Sequence, residues 1–198
     1  MYGNYGMLCR YFEDLDSIKT PLKNLYYPSS LAQIGPSIEQ LVQRGVIDSS
    51  KPFLDAGSGD ARVVALTGGV HELDSVGADY YDGFCDEAER NIRILKVLGI
   101  LNEVPIRIVR GDFTSDETYK NGGIRFEDFG TVYNFQTNEG DIAEKIARQS
   151  PSGTVFLLLT WQRNPKDFDG LGLEESIQLP QQGLHVYRRS NRKNFYIP

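Results

Sequence analysis

An α/β sheet, mostly parallel and bordered by a C-terminal antiparallel hairpin, is the fold class that this 198-residue sequence predicts. Three observations predict it. Five short apolar runs, at 51–56, 75–79, 106–110, 130–135 and 154–160, alternate with helical or turn-rich segments. The first two runs, with the helix between them, span about 30 residues, enough for a parallel crossover. Two late runs, 175–179 and 184–188, flank Pro180-Gln181-Gln182-Gly183 and read as a hairpin.

Taken in order, residues 1–28 mix charges with aromatics: Tyr2, Tyr5, Tyr11, Phe12, Tyr26 and Tyr27. Pro21 and Pro28 break any long helix, so short helical or irregular segments are expected there. They form an N-terminal arm, 1–30, ahead of a main domain, 31–198. Ser30 and Gln33 have capping-box spacing, and Leu31, Ile34, Ile38, Leu41 and Val42 recur at helical spacing up to Gly45. Pro36 either kinks this helix or begins its main part. A short helix is expected over 61–67. A longer one begins at Asp86-Glu87, with acids in its first turn where the helix dipole favours them, while Tyr80, Tyr81 and Asp82 read as loop. Cys85 reads as a small buried residue. Residues 116–129 are polar and turn-rich, and a helix follows over 141–149. The run 154–160 is apolar throughout, as suits a central strand buried on both faces. Arg188, Arg189, Arg192 and Lys193 form a basic cluster, read as a solvated edge.

Hydrophobic content of 40% and charged content of 24% fit an ordinary globular chain. The net charge of −6 argues against a general nucleic-acid binder, and nucleic acid is not expected as a partner. Two cysteines and two histidines, with no CxxC or HxxxH spacing, give neither a disulfide framework nor a metal site. The N-terminus lacks the basic and apolar regions of a signal peptide, and the longest apolar run, 155–159, is too short to span a bilayer. A cytoplasmic location is expected.

The chemistry concentrates in Phe53-Leu54-Asp55-Ala56-Gly57-Ser58-Gly59-Asp60-Ala61-Arg62. Apolar residues lead into an acid, then two glycines, then a helix. Gly57 and Gly59 allow a sharp turn and a close approach by a ligand, and the helix N-terminus aims free N–H groups at the same spot. A dinucleotide site wants Gly or Ala where Arg62 stands, and the Asp55 charge suits a cationic ligand better than pyrophosphate. The same run can also serve as a strand, turn and helix without a ligand. Asp79 falls about 20 residues after Gly59, where an acid can accept hydrogen bonds from both ribose hydroxyls.

This run resembles motif I of the class I S-adenosylmethionine (SAM) methyltransferases, acid-x-Gly-x-Gly-x-Gly, with Ala61 in place of the third glycine. The resemblance covers roughly 31–189 and implies a three-layer, Rossmann-like fold. It implies a cofactor site of Asp55, Gly57, Ser58, Gly59, Asp79, Tyr80, Asp112, Phe113 and Asn134, with SAM bound and S-adenosylhomocysteine (SAH) as product. In that pattern Asp112 accepts from the adenine amino group and Phe113 packs on the ring. The tip of the fourth strand, Asn134-Phe135-Gln136-Thr137, should hold the acceptor, with Asn134 positioning it and Phe135 and Trp161 as apolar walls; Asn134 as a local turn-former is the rival reading. It lacks the prolines of the DNA amino-methyltransferases. Residues 55–62 are also similar to Gly-Ser-Gly-Asp-Gly-Arg of small lysine methyltransferases without a SET domain, so a protein lysine or a small molecule is the expected acceptor. The alternatives are an NAD-type oxidoreductase, opposed by Arg62 and by the lack of a Tyr-x-x-x-Lys or His–Lys constellation, and a SAM-fold binding module without catalysis. The sequence does not specify an oligomeric state.

Overall fold

The computed structural model describes residues 2–17, 27–101 and 105–190. Its strands are β1 (Phe53–Ala56), β2 (Ser75–Asp79), β3 (Ile106–Arg110), β4 (Thr131–Phe135), β5 (Val155–Thr160), β6 (Leu171–Gln178) and β7 (Gly183–Arg189). Its helices are α1 (Tyr2–Ser17), α2 (Leu31–Gln43), α3 (Arg62–Gly69), α4 (Asp82–Val97), α5 (Asp116–Asn121) and α6 (Glu139–Gln149). The sheet order is β3-β2-β1-β4-β5-β7-β6. β1 to β5 pair in parallel, and β7 inserts antiparallel between β5 and the edge strand β6. This is the expected mostly parallel sheet with its antiparallel hairpin.

Strand residues alternate between two cores, which makes the three layers. Phe53, Tyr133, Leu157 and Leu159 face a core built with α1 to α4; Leu54, Val132, Phe156 and Leu158 face one built with α5 and α6. The direction of winding reverses between β1 and β4, which run side by side with Ala56 beside Asn134. Their carboxyl ends form the crevice where α/β sheets bind ligands.

Several local expectations need correction. Among the described residues, the stretch ahead of α2 holds a helix of 16 residues rather than the expected short segments. Leu8 and Phe12, one turn apart, are buried in the same core as Ile34 and Ile38, so tertiary packing supports the helix. Pro21 and Tyr26 lie outside the described residues, as do Arg192 and Lys193. Ser30 is the N-cap of α2 but makes no side-chain cap bond; its carbonyl accepts the Gln33 and Ile34 N–H groups instead. Pro36 lies inside α2. α4 starts at Asp82, a turn earlier than expected, so Asp86 and Glu89 lie beyond its first turn and bind Arg110 at the end of β3. α5 forms within a segment read as turn-rich, capped by Ser115, whose side chain accepts from the Glu117 N–H. No helix among the described residues is long and apolar enough to cross a membrane.

Candidate functional site

The turn after β1 carries the site. Gly57 has φ +90° and Gly59 φ +50°, in the left-handed region that favours glycine. Ala61, at the position of the missing third glycine, also sits there, at φ +67°, as the N-cap of α3. The local geometry that a glycine would relieve is thus kept, with an alanine bearing the strain. Gly77 in β2 makes room for Ser58, whose Oγ and Cβ lie 2.7 and 2.8 Å from where a Gly77 Cβ would be.

A cavity of about 430 Å³ opens at the crevice between β1 and β4. Asp55, Gly57, Ser58, Gly59 and Asp79 line its floor, Tyr80 and Phe113 its β2–β3 side, and Phe135 and Trp161 its β4–β5 side. Nine of the expected residues therefore meet around one space. Asp55 and Asp79 are nearly buried. Asp79 accepts the Gly59 N–H through Oδ2 and the Tyr81 N–H through Oδ1, both at 3.0 Å. Each oxygen keeps a lone pair for a further donor. Burial, and then the charges of Asp79 and Asp60, push the Asp55 carboxyl well above the usual carboxylate range. Ser58 Oγ is buried without a hydrogen-bond partner among the described residues. Cys85, fully buried as expected, donates its thiol to the Asp79 carbonyl at 3.3 Å.

Two expected residues stand elsewhere. Asp112 is exposed and does not line the cavity; its Oδ1 accepts the Thr114 N–H and hydroxyl, an Asx turn that places Phe113 beside Gly57. Asn134 is fully buried and is also absent from the lining. Its Nδ2 donates to the carbonyls of Ala56 (2.7 Å) and Thr137 (3.0 Å), and its Oδ1 accepts the Thr137 N–H (3.1 Å). The amide is spent on shaping the turn after β4. Tyr133, one residue earlier and on the other face, reaches the cavity and shares a 2.8 Å hydrogen bond with Ser29 Oγ.

The residues ahead of α2 contribute directly. Arg62 donates to both Asp60 oxygens, to both Asp16 oxygens and to the Ser29 carbonyl, and its guanidinium lies 5.1 Å from the Phe12 ring centroid. Tyr11 donates to Asn91, which donates to the Asp60 carbonyl. Tyr27, Pro28 and Ser29 then complete the wall. This stretch is thereby fastened to the turn of motif I, a role that sequence spacing did not reveal.

This is the fold of the class I SAM-dependent methyltransferases. Among solved structures, the chain is similar to an RNA methyltransferase from Salinibacter ruber in complex with SAH (TM-score 0.57, 16% identity, 79% of this chain and 92% of that one). It is also similar to the rRNA methyltransferase aviRa from Streptomyces viridochromogenes (TM-score 0.63, 11% identity, 87% and 89%) and to a SAM-dependent methyltransferase from Aquifex aeolicus (TM-score 0.56, 13% identity, 84% and 95%). No family model and no curated protein sequence matches the chain. The comparison overturns one expectation: the net charge of −6 does not argue nucleic acid away, because two of these neighbours are named as acting on RNA or rRNA. Net charge averages over the surface, whereas recognition depends on the local site.

Proposed function

We propose that this chain is a SAM-dependent methyltransferase that binds SAM at the β1–β4 crevice and takes an acceptor from the nucleic-acid class. The observation that carries the reading is the convergence of Asp55, Ser58 and Asp79 on the glycine turn, with Phe113 packed beside it. The residues fit the cofactor's chemistry. Asp79 would take the ribose hydroxyls, Tyr80 and Phe113 would flank the adenine, and Asp55 offers a carboxylate to a cationic ligand. The unpartnered Ser58 Oγ and the N–H groups of the turn would serve the amino-acid portion. When bound, SAM supplies an activated methyl group: a lone pair of the acceptor bonds the methyl carbon, the carbon–sulfur bond breaks with its electrons staying on sulfur to give SAH, and any proton on the acceptor atom passes to water.

The chain's own contribution is alignment and exclusion of water. Burial raises the Tyr133 hydroxyl well above the usual phenol range, so it stays protonated, orienting groups rather than removing protons. Trp161, Phe135 and Tyr27 narrow the entrance. The RNA and rRNA enzymes that share the fold support a nucleic-acid acceptor over a protein lysine.

The test has two stages. Calorimetry with SAM, SAH and NADH should show binding of the first two. At 100 times its dissociation constant, SAH should stabilise the fold by about 2.7 kcal/mol. Methyl-tritiated SAM with cell extract should then give RNase-sensitive label. NADH binding without SAM binding overturns the cofactor reading. Protease-sensitive label moves the acceptor to protein, and SAH binding without any label leaves a binding module.

A further inference from the structure

We propose that the side-chain amide of Gln136 reads the acceptor, selecting a flat heteroaromatic ring that presents a carbonyl oxygen or an unprotonated ring nitrogen, as a nucleobase does. The inference rests on the methyltransferase reading and names the chemistry at the acceptor end of the same cavity.

Gln136 follows β4 directly and lines the cavity. Its backbone has φ +49°, in the left-handed region that a non-glycine residue enters at a cost. The side chain explains why the position is held. Oε1 accepts the Thr160 hydroxyl and the Trp161 backbone N–H, both at 2.9 Å. A backbone N–H can only donate, so the atom facing it is the oxygen and the amide orientation is fixed. Thr160 Oγ1 in turn accepts the Gln162 N–H, which fixes the hydroxyl as well. The two Nε2 hydrogens are left with no acceptor among the described residues.

Gln136 shares the cavity wall with three aromatic residues, Phe135, Trp161 and Tyr27. The Phe135 and Trp161 ring centroids lie 5.8 Å apart, and Tyr27 meets Trp161 edge-on at 6.2 Å and 83°. Trp161 is 46% exposed and Tyr27 77%, an aromatic surface left open at the mouth of a cavity. Such faces stack on flat rings of any sequence, and an amide donor adds the hydrogen-bond selectivity that stacking lacks. This wall does not suit a lysine acceptor. The neutral amine that attacks has a single lone pair, which it needs for the methyl carbon and cannot also offer to the amide donors, and it has no flat face to stack. Asp79 on the floor would repel a phosphate, so a nucleotide must enter ring first with its backbone outside.

Trp161 is the chain's single tryptophan, so its fluorescence reports on this site alone. The full chain, saturated with SAH, is titrated with the four nucleosides, with single-stranded oligoribonucleotides and with Nα-acetyl-lysine amide. A nucleoside or an oligonucleotide should quench Trp161. Quenching by nucleosides indicates a free base or nucleotide as source, and quenching by oligonucleotides alone a polynucleotide; both support the proposal. Gln136→Glu keeps an oxygen toward Thr160 and Trp161 but exchanges the two donors for an acceptor. It should weaken the quenching ligand tenfold or more while leaving SAH affinity and melting temperature in place. Three results overturn the proposal: unchanged affinity in Gln136→Glu, tighter binding of the lysine amide than of any base-bearing ligand by the unaltered chain, or no quenching by any base-bearing ligand in a protein that binds SAH. Failure to bind SAH strikes the methyltransferase reading instead.

Discussion

The floor and the rim of the cavity are built by opposite rules. The floor is a backbone device: two glycines at positive φ, two nearly buried acids, and N–H groups already paired with Asp79. The rim is a side-chain device, made of Tyr27, Phe135, Gln136 and Trp161 from three separate segments of the chain, with Tyr27 and Trp161 largely open to solvent. A floor that meets one fixed ligand gains from rigidity, whereas a rim that admits a variable partner gains from exposed faces and spare donors. Variants of the floor should therefore change stability or cofactor affinity, and variants of the rim should change neither.

The largest effect is expected where the floor is fastened to the residues ahead of α2. Arg62 is buried against Asp60, and its removal leaves that carboxylate buried without its cation. Arg62→Ala should cost about 3 kcal/mol or more, read as a lower denaturation midpoint with unchanged slope. A loss below about 1 kcal/mol would mean that those residues are not structurally coupled to the turn. Next comes Asp79→Ala. Hydrogen bonds to a charged group are each worth roughly 1.5–3 kcal/mol, so losing the proposed contacts to ribose should weaken SAH tenfold or more by calorimetry on the folded fraction. It also strips the Gly59 and Tyr81 N–H groups of their acceptor, so the melting temperature should fall as well. Unaltered SAH affinity would detach β2 from the cofactor.

The same contrast explains what was legible in the sequence. Gly57 and Gly59 are needed because the backbone there has positive φ, and such a demand leaves a mark at fixed spacing. The parallel strands were legible because burial on both faces makes apolar runs, as in Val155–Thr160. The rim left a weaker mark: Phe135 and Trp161 were expected as walls from the resemblance, but Tyr27 and the Gln136 side chain join them only once the sheet is wound. Arg62 was read for the ligand it disfavours; its role as an anchor depends on Asp16, 46 residues away. α5, six residues long, is too short to show a period and depends on its Ser115 cap. Asn134 was placed by its position at a strand tip, but a buried amide goes first to the nearest unpaired backbone groups.

Asn134 sits where floor and rim join, because its amide ties the Ala56 carbonyl to the turn at Thr137. Asn134→Ala removes three hydrogen bonds, each worth about 0.5–1.5 kcal/mol net, so a loss of about 1.5–4.5 kcal/mol in stability is expected. SAH affinity per folded molecule should change little. An unchanged melting temperature combined with lost turnover would return the amide to the acceptor and blur the division between floor and rim.

The smallest expected effect separates the floor's two acids. Both are nearly buried, yet Asp79 accepts two backbone N–H groups, while the Asp55 carboxyl makes no hydrogen bond among the described residues and carries the upward shift. A carboxyl whose folded-state pKa is raised holds its proton longer in the folded chain than in the unfolded one. Above the ordinary carboxylate range the folded state then binds more protons, and ligand-free stability falls as pH rises through the raised value. Asp55→Asn removes that dependence. The ligand-free variant should match the wild type near pH 4 and exceed its stability at pH 8, by about 1 kcal/mol. A cationic ligand reverses the order, because the sulfonium and ammonium of SAM favour the ionised Asp55 that burial disfavours. SAM should therefore raise the melting temperature of the wild type more than that of the variant at pH 8, with a smaller difference for the uncharged sulfur of SAH. A variant less stable than the wild type at pH 8 without ligand would show that Asp55 has a structural partner, and that the floor is no more specialised for a cation than the rim.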